Sequence, residues 1–112
     1  MRASLPLLAA CAGMALAPAL AAAQDVGAAV YGRTCIACHG ADGAGVLPGV
    51  PDFTQPGGPL SQTDAVLIER ITKGYQSPGS PLAMPPKGGD PSLTDPQIRD
   101  VLAYLRREFA PK

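Results

Sequence analysis

The stretch that decides the fold is Cys35-Ile36-Ala37-Cys38-His39, which places two thiols and an imidazole within little more than one helical turn. Two cysteines separated by two residues at the end of a helix lie on neighbouring faces, and the histidine follows directly. His39 is the only histidine in the chain. The stretch therefore gathers the main metal-binding and thiol groups of the sequence at one point.

The pattern Cys-x-x-Cys-His is typical of covalent haem attachment. Cys35 and Cys38 can form thioether bonds to the two vinyl groups on one edge of a porphyrin, and His39 can then offer its imidazole to the iron. Covalent attachment prevents haem loss from a small protein and adds a large apolar element to a short core. The stretch predicts one covalent haem c bound through these three residues.

Other chemistries use the same residue types. A dithiol redox site shows Cys-x-x-Cys but normally follows a strand in a βαβ unit, which this sequence does not suggest. A zinc site needs a fourth ligand, and residues 24–112 hold no other histidine or cysteine. A disulfide between Cys35 and Cys38 would close too small a loop to stabilise the fold much. His39 could also be an ordinary core or surface histidine, but its place directly after Cys38 favours the ligand interpretation.

Residues 1–23 are predicted to be a cleaved secretory signal peptide. Arg2 supplies a short positive region, residues 5–23 are apolar and mostly alanine, and small residues crowd the segment before Gln24. The remaining residues, 24–112, are expected to form one domain in the periplasm. A retained membrane anchor is one alternative, and lipidation at Cys11 is another.

Apolar spacing predicts three helices, over residues 25–38, 60–73 and 94–109. Long segments rich in glycine and proline join them, and no alternating strand pattern is visible. The expected fold class is therefore all-α, with the haem filling the space between the helices. The last helix should bury one stripe, formed by Ile98, Val101, Leu102, Leu105 and Phe109.

Side chains that cap helices support these boundaries. Asp25 is a plausible N-cap of the first helix, and either Ser61 or Thr63 can cap the second. Thr94 and Gln97 have the spacing of a capping box at the start of the third.

Met84 is the only methionine in residues 24–112, and it lies between prolines in Pro81-Leu82-Ala83-Met84-Pro85-Pro86. Prolines disfavour helix and stiffen the segment, which suits a loop that holds a thioether against iron. Iron bound by His39 and Met84 would have a raised potential and no open position, which favours electron transfer over turnover. The alternative is that Met84 only packs against the haem.

The chain resembles class I cytochrome c of the small bacterial monohaem type, over about residues 25–109. Two segments carry most of this resemblance. They are Cys35-Ile36-Ala37-Cys38-His39, hereafter the haem stretch, and Met84-Pro85-Pro86-Lys87-Gly88. It implies the cytochrome c fold, one covalent haem c and electron transfer. In the family, a glycine and an aromatic residue before the haem cysteines pack on the last helix; Gly27 and Tyr31 match them, opposite Val101 and Tyr104.

The resemblance also implies a partner for the haem histidine. In the family a proline carbonyl accepts its N–H, and Pro51 looks like that proline. The tryptophan and arginine that the family places near the haem propionates are not identifiable, so Lys73, Tyr75 and Gln76 are the candidates here. Basic residues do not ring the haem edge, and a strongly acidic partner is not indicated.

The predicted function is one-electron transfer between periplasmic redox proteins by a carrier that is not an enzyme. The net charge is zero, without a basic or acidic run, so nothing favours nucleic acid or strong membrane binding. One alternative is a haem subunit of a larger dehydrogenase or oxidase complex. Others are a gas-binding or peroxidatic protein in which Met84 leaves the iron, and a colourless dithiol oxidoreductase. The donor and acceptor are not encoded in any motif.

Overall fold

The computed structural model describes residues 2–6, 8–10, 12–13 and 17–112, with the backbone alone at 24 and 25. Within these ranges the secondary structure consists of helices and turns without a β-strand, which confirms the predicted all-α class. Cys11, the candidate for lipidation, lies outside the described residues. In the same ranges, no helix combines the length and the hydropathy needed to span a bilayer.

The first helical segment has three parts: α1 at Ala17–Val30, a π-helical turn at Tyr31–Cys35, and α2 at Ile36–His39. The predicted start at residue 25 is wrong, because the alanine-rich stretch before it has a high helix propensity and extends the helix upstream. Asp25 therefore lies inside α1 and is not its N-cap.

The second main helix, α3, spans Asp64–Lys73 and starts one turn later than predicted. Thr63 caps it by accepting a hydrogen bond from the backbone N–H of Val66, at 3.3 Å. Ser61 does not cap it, because its hydroxyl donates to the carbonyl of Gly58, at 2.6 Å. The residues before Thr63 form a short 3-10 turn instead.

The last helix, α4, spans Asp95–Phe109, and the predicted capping box at its start is confirmed. Thr94 and Gln97 exchange two hydrogen bonds, at 3.0 and 3.3 Å. The predicted apolar stripe is also confirmed, because every one of its five side chains is buried, namely Ile98, Val101, Leu102, Leu105 and Phe109.

The crossing of α1 and α4 depends on Gly27. A Cβ atom there would overlap the carbonyl oxygen of Asp100 and come within 2.9 Å of Cβ of Tyr104. One turn on, the buried Tyr31 ring lies 5.3 Å from the ring centroids of both Tyr104 and Phe109. The expected packing of Gly27 and Tyr31 against the last helix is thus confirmed, and it places the haem stretch at the end of a firmly held helix.

Arg106 ties α4 to the segment before α3. Its guanidinium donates to the carboxylate of Asp64 and to the carbonyls of Leu60 and Gln62, each at 2.8 Å. The planar fork of arginine can satisfy three acceptors at once, so one side chain fixes the direction of this segment.

Candidate functional site

Backbone hydrogen bonds hold the end of the haem stretch. The helix α2 stops at Gly40, whose φ of 81° suits glycine, and the hydroxyl of Tyr31 donates to the Gly40 carbonyl. The chain then turns back, and the N–H groups of Gly45 and Val46 donate to the carbonyls of His39 and Cys38, both at 2.9 Å. The two residues next to the turn are therefore fixed by main-chain contacts.

His39 is buried, with 8% of its surface exposed. Its imidazole stacks on the ring of Phe53 at a centroid distance of 4.4 Å, and burial lowers its pKa, so the neutral form that can bind a metal is favoured. Nδ1 of His39 is buried without a hydrogen-bond partner among the described residues. The carbonyl of Pro51 therefore does not accept from it in this structure, although Pro51 and His39 line the same cavity.

Met84 is held by its backbone rather than by a helix. Its N–H donates to the carbonyl of Tyr75 at 2.8 Å, and its carbonyl accepts from the N–H of Tyr75 at 3.0 Å. Gly74 lies against this bridge with a φ of 81°, and a Cβ there would come within 2.7 Å of the Met84 carbonyl oxygen. The position of Met84 thus depends on a glycine and on two hydrogen bonds.

The loop that carries Met84 also contacts the haem stretch. Gly88 packs directly on Thr34 in the π-helical turn, where a Cβ would come within 2.5 Å of the Thr34 methyl group. Lys87, just before it, has a φ of 55°, the one positive value outside glycine in the described residues. This sharp left-handed turn brings the loop onto the helix.

Two adjacent cavities lie between these parts. The first, the Cys38 cavity, has a volume of about 110 Å³, and Cys35, Cys38, His39 and Met84 all line it. The second, the Arg70 cavity, has a volume of about 90 Å³ and extends to the buried residues of α3 and α4. The two cavities share a wall formed by Thr34, Cys35, His39, Tyr75, Met84 and Gly88.

Both cysteines of the haem stretch are free thiols and are partly buried. Burial raises the pKa of the Cys35 thiol to about 11, with the nearby Cys38 as a smaller cause. The Cys35 thiol is therefore protonated and weakly nucleophilic at neutral pH. This does not favour Cys35 as the attacking thiol of the dithiol-exchange alternative, which needs a reactive thiolate.

Arg70 is a site residue that the sequence interpretation missed. It lines the mainly apolar Arg70 cavity, and its guanidinium carbon lies 3.9 Å from the ring centroid of Tyr75. The signal was its place beside the apolar stripe of α3, three residues after Leu67. Of the proposed propionate contacts, Tyr75 lines both cavities, whereas the other two line neither.

Lys73 and Gln76 have other partners in the structure. Lys73 forms an exposed ion pair with Glu69 one turn earlier, at 2.9 Å. Gln76 donates from its side chain to the carbonyl of Ser80, at 2.9 Å. Both side chains therefore contact neighbours in the sequence and line neither cavity.

The residues present fit a haem. Two thiols, a thioether and an imidazole whose Nδ1 has no partner in the described part of the chain line one apolar space. Lys87 and Arg70 add positive charge in the adjoining one. A haem is a flat apolar ring with two acidic propionates, so it needs an apolar space with positive charge beside it.

Comparisons with known proteins agree with this geometry. The family model described as Cytochrome c matches residues 24–107. The chain is 38% identical over 84 residues to cytochrome c-555 of Prosthecochloris aestuarii, which covers 73% of this chain and 84% of that protein. It is 34% identical over 79 residues to cytochrome c-555 of Chlorobaculum tepidum, covering 70% of each.

A larger protein is also similar. The gluconate 2-dehydrogenase cytochrome c subunit of Pantoea cypripedii is 36% identical over 91 residues, which are 74% of this chain but 20% of that protein. No solved structure matches the chain with statistical significance. The family match and the cytochrome c-555 relatives show that the chain belongs to the cytochrome c family, as a small class I member with covalently bound haem c and an electron-transfer function.

Proposed function

We propose that the protein is a periplasmic electron carrier whose single haem c iron is bound by His39 and Met84. The observation that supports this most is that four residues from two distant parts of the sequence line one cavity. Cys35, Cys38 and His39 reach it from the first helical segment, and Met84 reaches it from the loop after α3.

Each of these residues has a distinct role in the proposal. The thiols of Cys35 and Cys38 add to the haem vinyl groups and tie the haem to the chain. The imidazole of His39 and the thioether of Met84 bind the iron, so the chain leaves no open position for a substrate. When bound, the haem supplies a one-electron couple between Fe(II) and Fe(III), with a potential that the thioether raises.

Two further contacts belong to this proposal. Arg70 provides positive charge for a propionate inside a mainly apolar cavity, where an unpaired carboxylate would be costly to bury. The carbonyl of Pro51 accepts the His39 N–H in the haem-bound protein, since both residues line the Cys38 cavity.

Absorption spectra of the ferric and ferrous protein, made in a host that exports and matures cytochromes c, test the ligands. Met84→Ala should keep covalent haem but lose the ferric iron–thioether band, with a lower midpoint potential in a redox titration. Leu82→Ala, in the same loop, is the matched control and should keep both the covalent haem and the iron–thioether band. An unchanged band in Met84→Ala would show that Met84 is not a ligand.

The periplasmic location rests on the signal-peptide prediction. The intact mass and the N-terminal sequence of the purified protein should correspond to a chain that begins at Gln24. A mature chain that retains residues 1–23 would contradict the cleavage and favour the anchor.

A haem subunit of a dehydrogenase complex is the second candidate, and the similarity to the gluconate 2-dehydrogenase cytochrome c subunit favours it. Purification from the native source separates the two functions. A carrier elutes as a free small protein, whereas a subunit elutes with its dehydrogenase.

A further inference from the structure

The plane of the His39 imidazole is not fixed by the histidine itself. The torsion that joins such a ring to Cβ has broad minima, so the ring can turn unless a neighbour restrains it. Nδ1 of His39 is buried without a hydrogen-bond partner among the described residues, so no hydrogen bond at Nδ1 holds the ring in this structure. Another contact must therefore set the orientation of the imidazole.

The contact that restrains the imidazole is its stack with Phe53. The two ring centroids are 4.4 Å apart and the ring planes are inclined by 15°, so one face of the imidazole lies against a flat surface. Both residues are buried, with 8% of His39 and 7% of Phe53 exposed, which leaves little room for either ring to move. Rotation of the imidazole would press its edge into the Phe53 ring, so the stack restrains the torsion that Nδ1 leaves free.

Phe53 is held in place by contacts that do not involve His39. Its N–H donates to the carbonyl of Gly43 at 2.9 Å. The carboxylate of the preceding Asp52 accepts hydrogen bonds from the N–H and the hydroxyl of Thr54, at 2.8 and 2.6 Å, which closes the turn around Phe53. The Phe53 ring also stacks on Phe109 of α4 at a centroid distance of 6.0 Å. Phe53 can therefore act as a fixed surface for His39.

We propose that Phe53 is a positioning residue for the iron ligand His39, and that its ring sets the plane in which the imidazole meets the iron. The inference rests on the proposed function, because it needs His39 as a ligand. Contacts behind a metal-binding histidine orient its ring and tune the metal. Here the face of an aromatic ring provides the orientation, to which the proposed hydrogen bond to the Pro51 carbonyl would add.

Proton NMR of the ferric holoprotein with bound cyanide measures this orientation. Cyanide takes the iron position proposed for Met84 and is symmetric about its bond to iron. The plane of the His39 ring then decides how the unpaired spin is shared among the haem methyl groups. Phe53→Leu should change the order of the methyl shifts or narrow their spread, because leucine offers no flat face. Phe53→Tyr keeps the ring face and should keep the wild-type order.

Phe109→Leu is the matched control. Phe109 is as buried as Phe53, with 7% exposed, and stacks on the Phe53 ring, but it lines neither cavity. A loss of packing should lower the unfolding free energy of both leucine variants in denaturant titrations. A turned imidazole should change the methyl pattern in Phe53→Leu only.

A wild-type methyl pattern in Phe53→Leu would overturn the inference, and so would an equal change in Phe109→Leu. If Phe53→Leu does not fold, nuclear Overhauser effects between the ring protons of Phe53 and His39 in the ferrous wild-type protein decide the question. Their presence supports the stack, and their absence overturns it. Covalent haem is recorded first on each sample, and its absence in the wild-type protein would overturn the proposed function as well.

Discussion

The Cys38 and Arg70 cavities together form the haem crevice, and its two walls are held in place by different kinds of contact. The wall that carries His39 is the end of a helix, held by the close contact of Gly27 with α4 and by the stacking of His39 on Phe53. The wall that carries Met84 is a loop, held by the bridge to Tyr75 and by Gly74. The first wall depends mainly on packing, with main-chain hydrogen bonds from Gly45 and Val46 at its end, and the second depends on backbone conformation alone.

This difference indicates which substitutions should displace each of the two proposed iron ligands. Packing spreads its stabilisation over many atoms, so the helical wall should fail only when α1 and α4 separate. Backbone restraint is concentrated in few groups, so the loop wall should fail when one of them changes. Substitutions can therefore affect global stability and Met84 ligation separately.

Gly27→Val should have the largest effect on stability, because its side chain would enter the backbone of α4 at Asp100. We expect a loss of about 3 kcal/mol or more in the free energy of unfolding, measured by denaturant titration. Gly32→Val is the control, since a Cβ at Gly32 meets nothing within 4 Å. Equal losses in both variants would show that the helix crossing is not the sensitive contact.

Gly74→Ala tests the loop wall. The positive φ disfavours alanine and its Cβ would press on the Met84 carbonyl, so we expect a loss of about 2 kcal/mol together with a weaker iron–thioether band. Gly79→Ala, with a φ of 78° but open space around its Cβ, carries the backbone cost alone. If Gly79→Ala weakened the band as much, the clamp on Met84 would not be the cause.

Arg106→Ala removes a tie between α4 and the segment before α3, which lies outside both walls. Three acceptors lose a donor at partly exposed positions, and a loss of about 1 to 2 kcal/mol in unfolding free energy is expected without any change in the spectrum. Arg107→Ala, whose ion pair with Glu108 is exposed, should cost less than about 0.5 kcal/mol. A spectral change in Arg106→Ala would mean that this segment helps to position the ligands.

Apart from the control variants, Tyr31→Phe should have the smallest effect near neutral pH, about 1 kcal/mol, because it removes one buried hydrogen bond to Gly40. At alkaline pH the variant and the wild-type protein should differ in how their unfolding free energy depends on pH. Burial raises the pKa of the Tyr31 phenol from 10.0 to about 12, so the unfolded chain loses this proton first and stability falls as pH rises through that range.

The phenylalanine variant lacks this group, so its unfolding free energy should fall less steeply between pH 10 and 12. Denaturant titrations of both proteins at several pH values give the two slopes. Parallel slopes would mean that the Tyr31 phenol titrates alike in the folded and unfolded chains.

Much of the fold could be predicted from local sequence. The Thr94 capping box and the stripe of α4 follow from spacing that a single helix reveals, whereas the packing of Gly27 on α4 was implied by the family resemblance. The start of α1 could not be predicted from a capping residue, because the alanines upstream also favour helix. The choice between Ser61 and Thr63 needed the three-dimensional turn that gives Ser61 another acceptor.

The site was predictable only in part, for a physical reason. Residues adjacent in sequence, such as Cys38 and His39, carry their geometry with them, whereas the arginine of the crevice depends on how α3 rotates against α4. Arg70 has the spacing of a residue at the border of an apolar face, and only packing decides whether such a side chain turns inward. Lys73, one turn later, turns outward to Glu69.

The bridge between Tyr75 and Met84 closes residues 76–83 into a loop whose two ends meet. A loop joined at its neck can open as a local unit while the helices stay folded. With the proposed ligands, such an opening would free the sulfur but not the haem, which Cys35, Cys38 and His39 would retain. The sulfur would then remain tethered at high effective concentration and return to the same iron, so the weakest part of the site would also be its most readily reversible one.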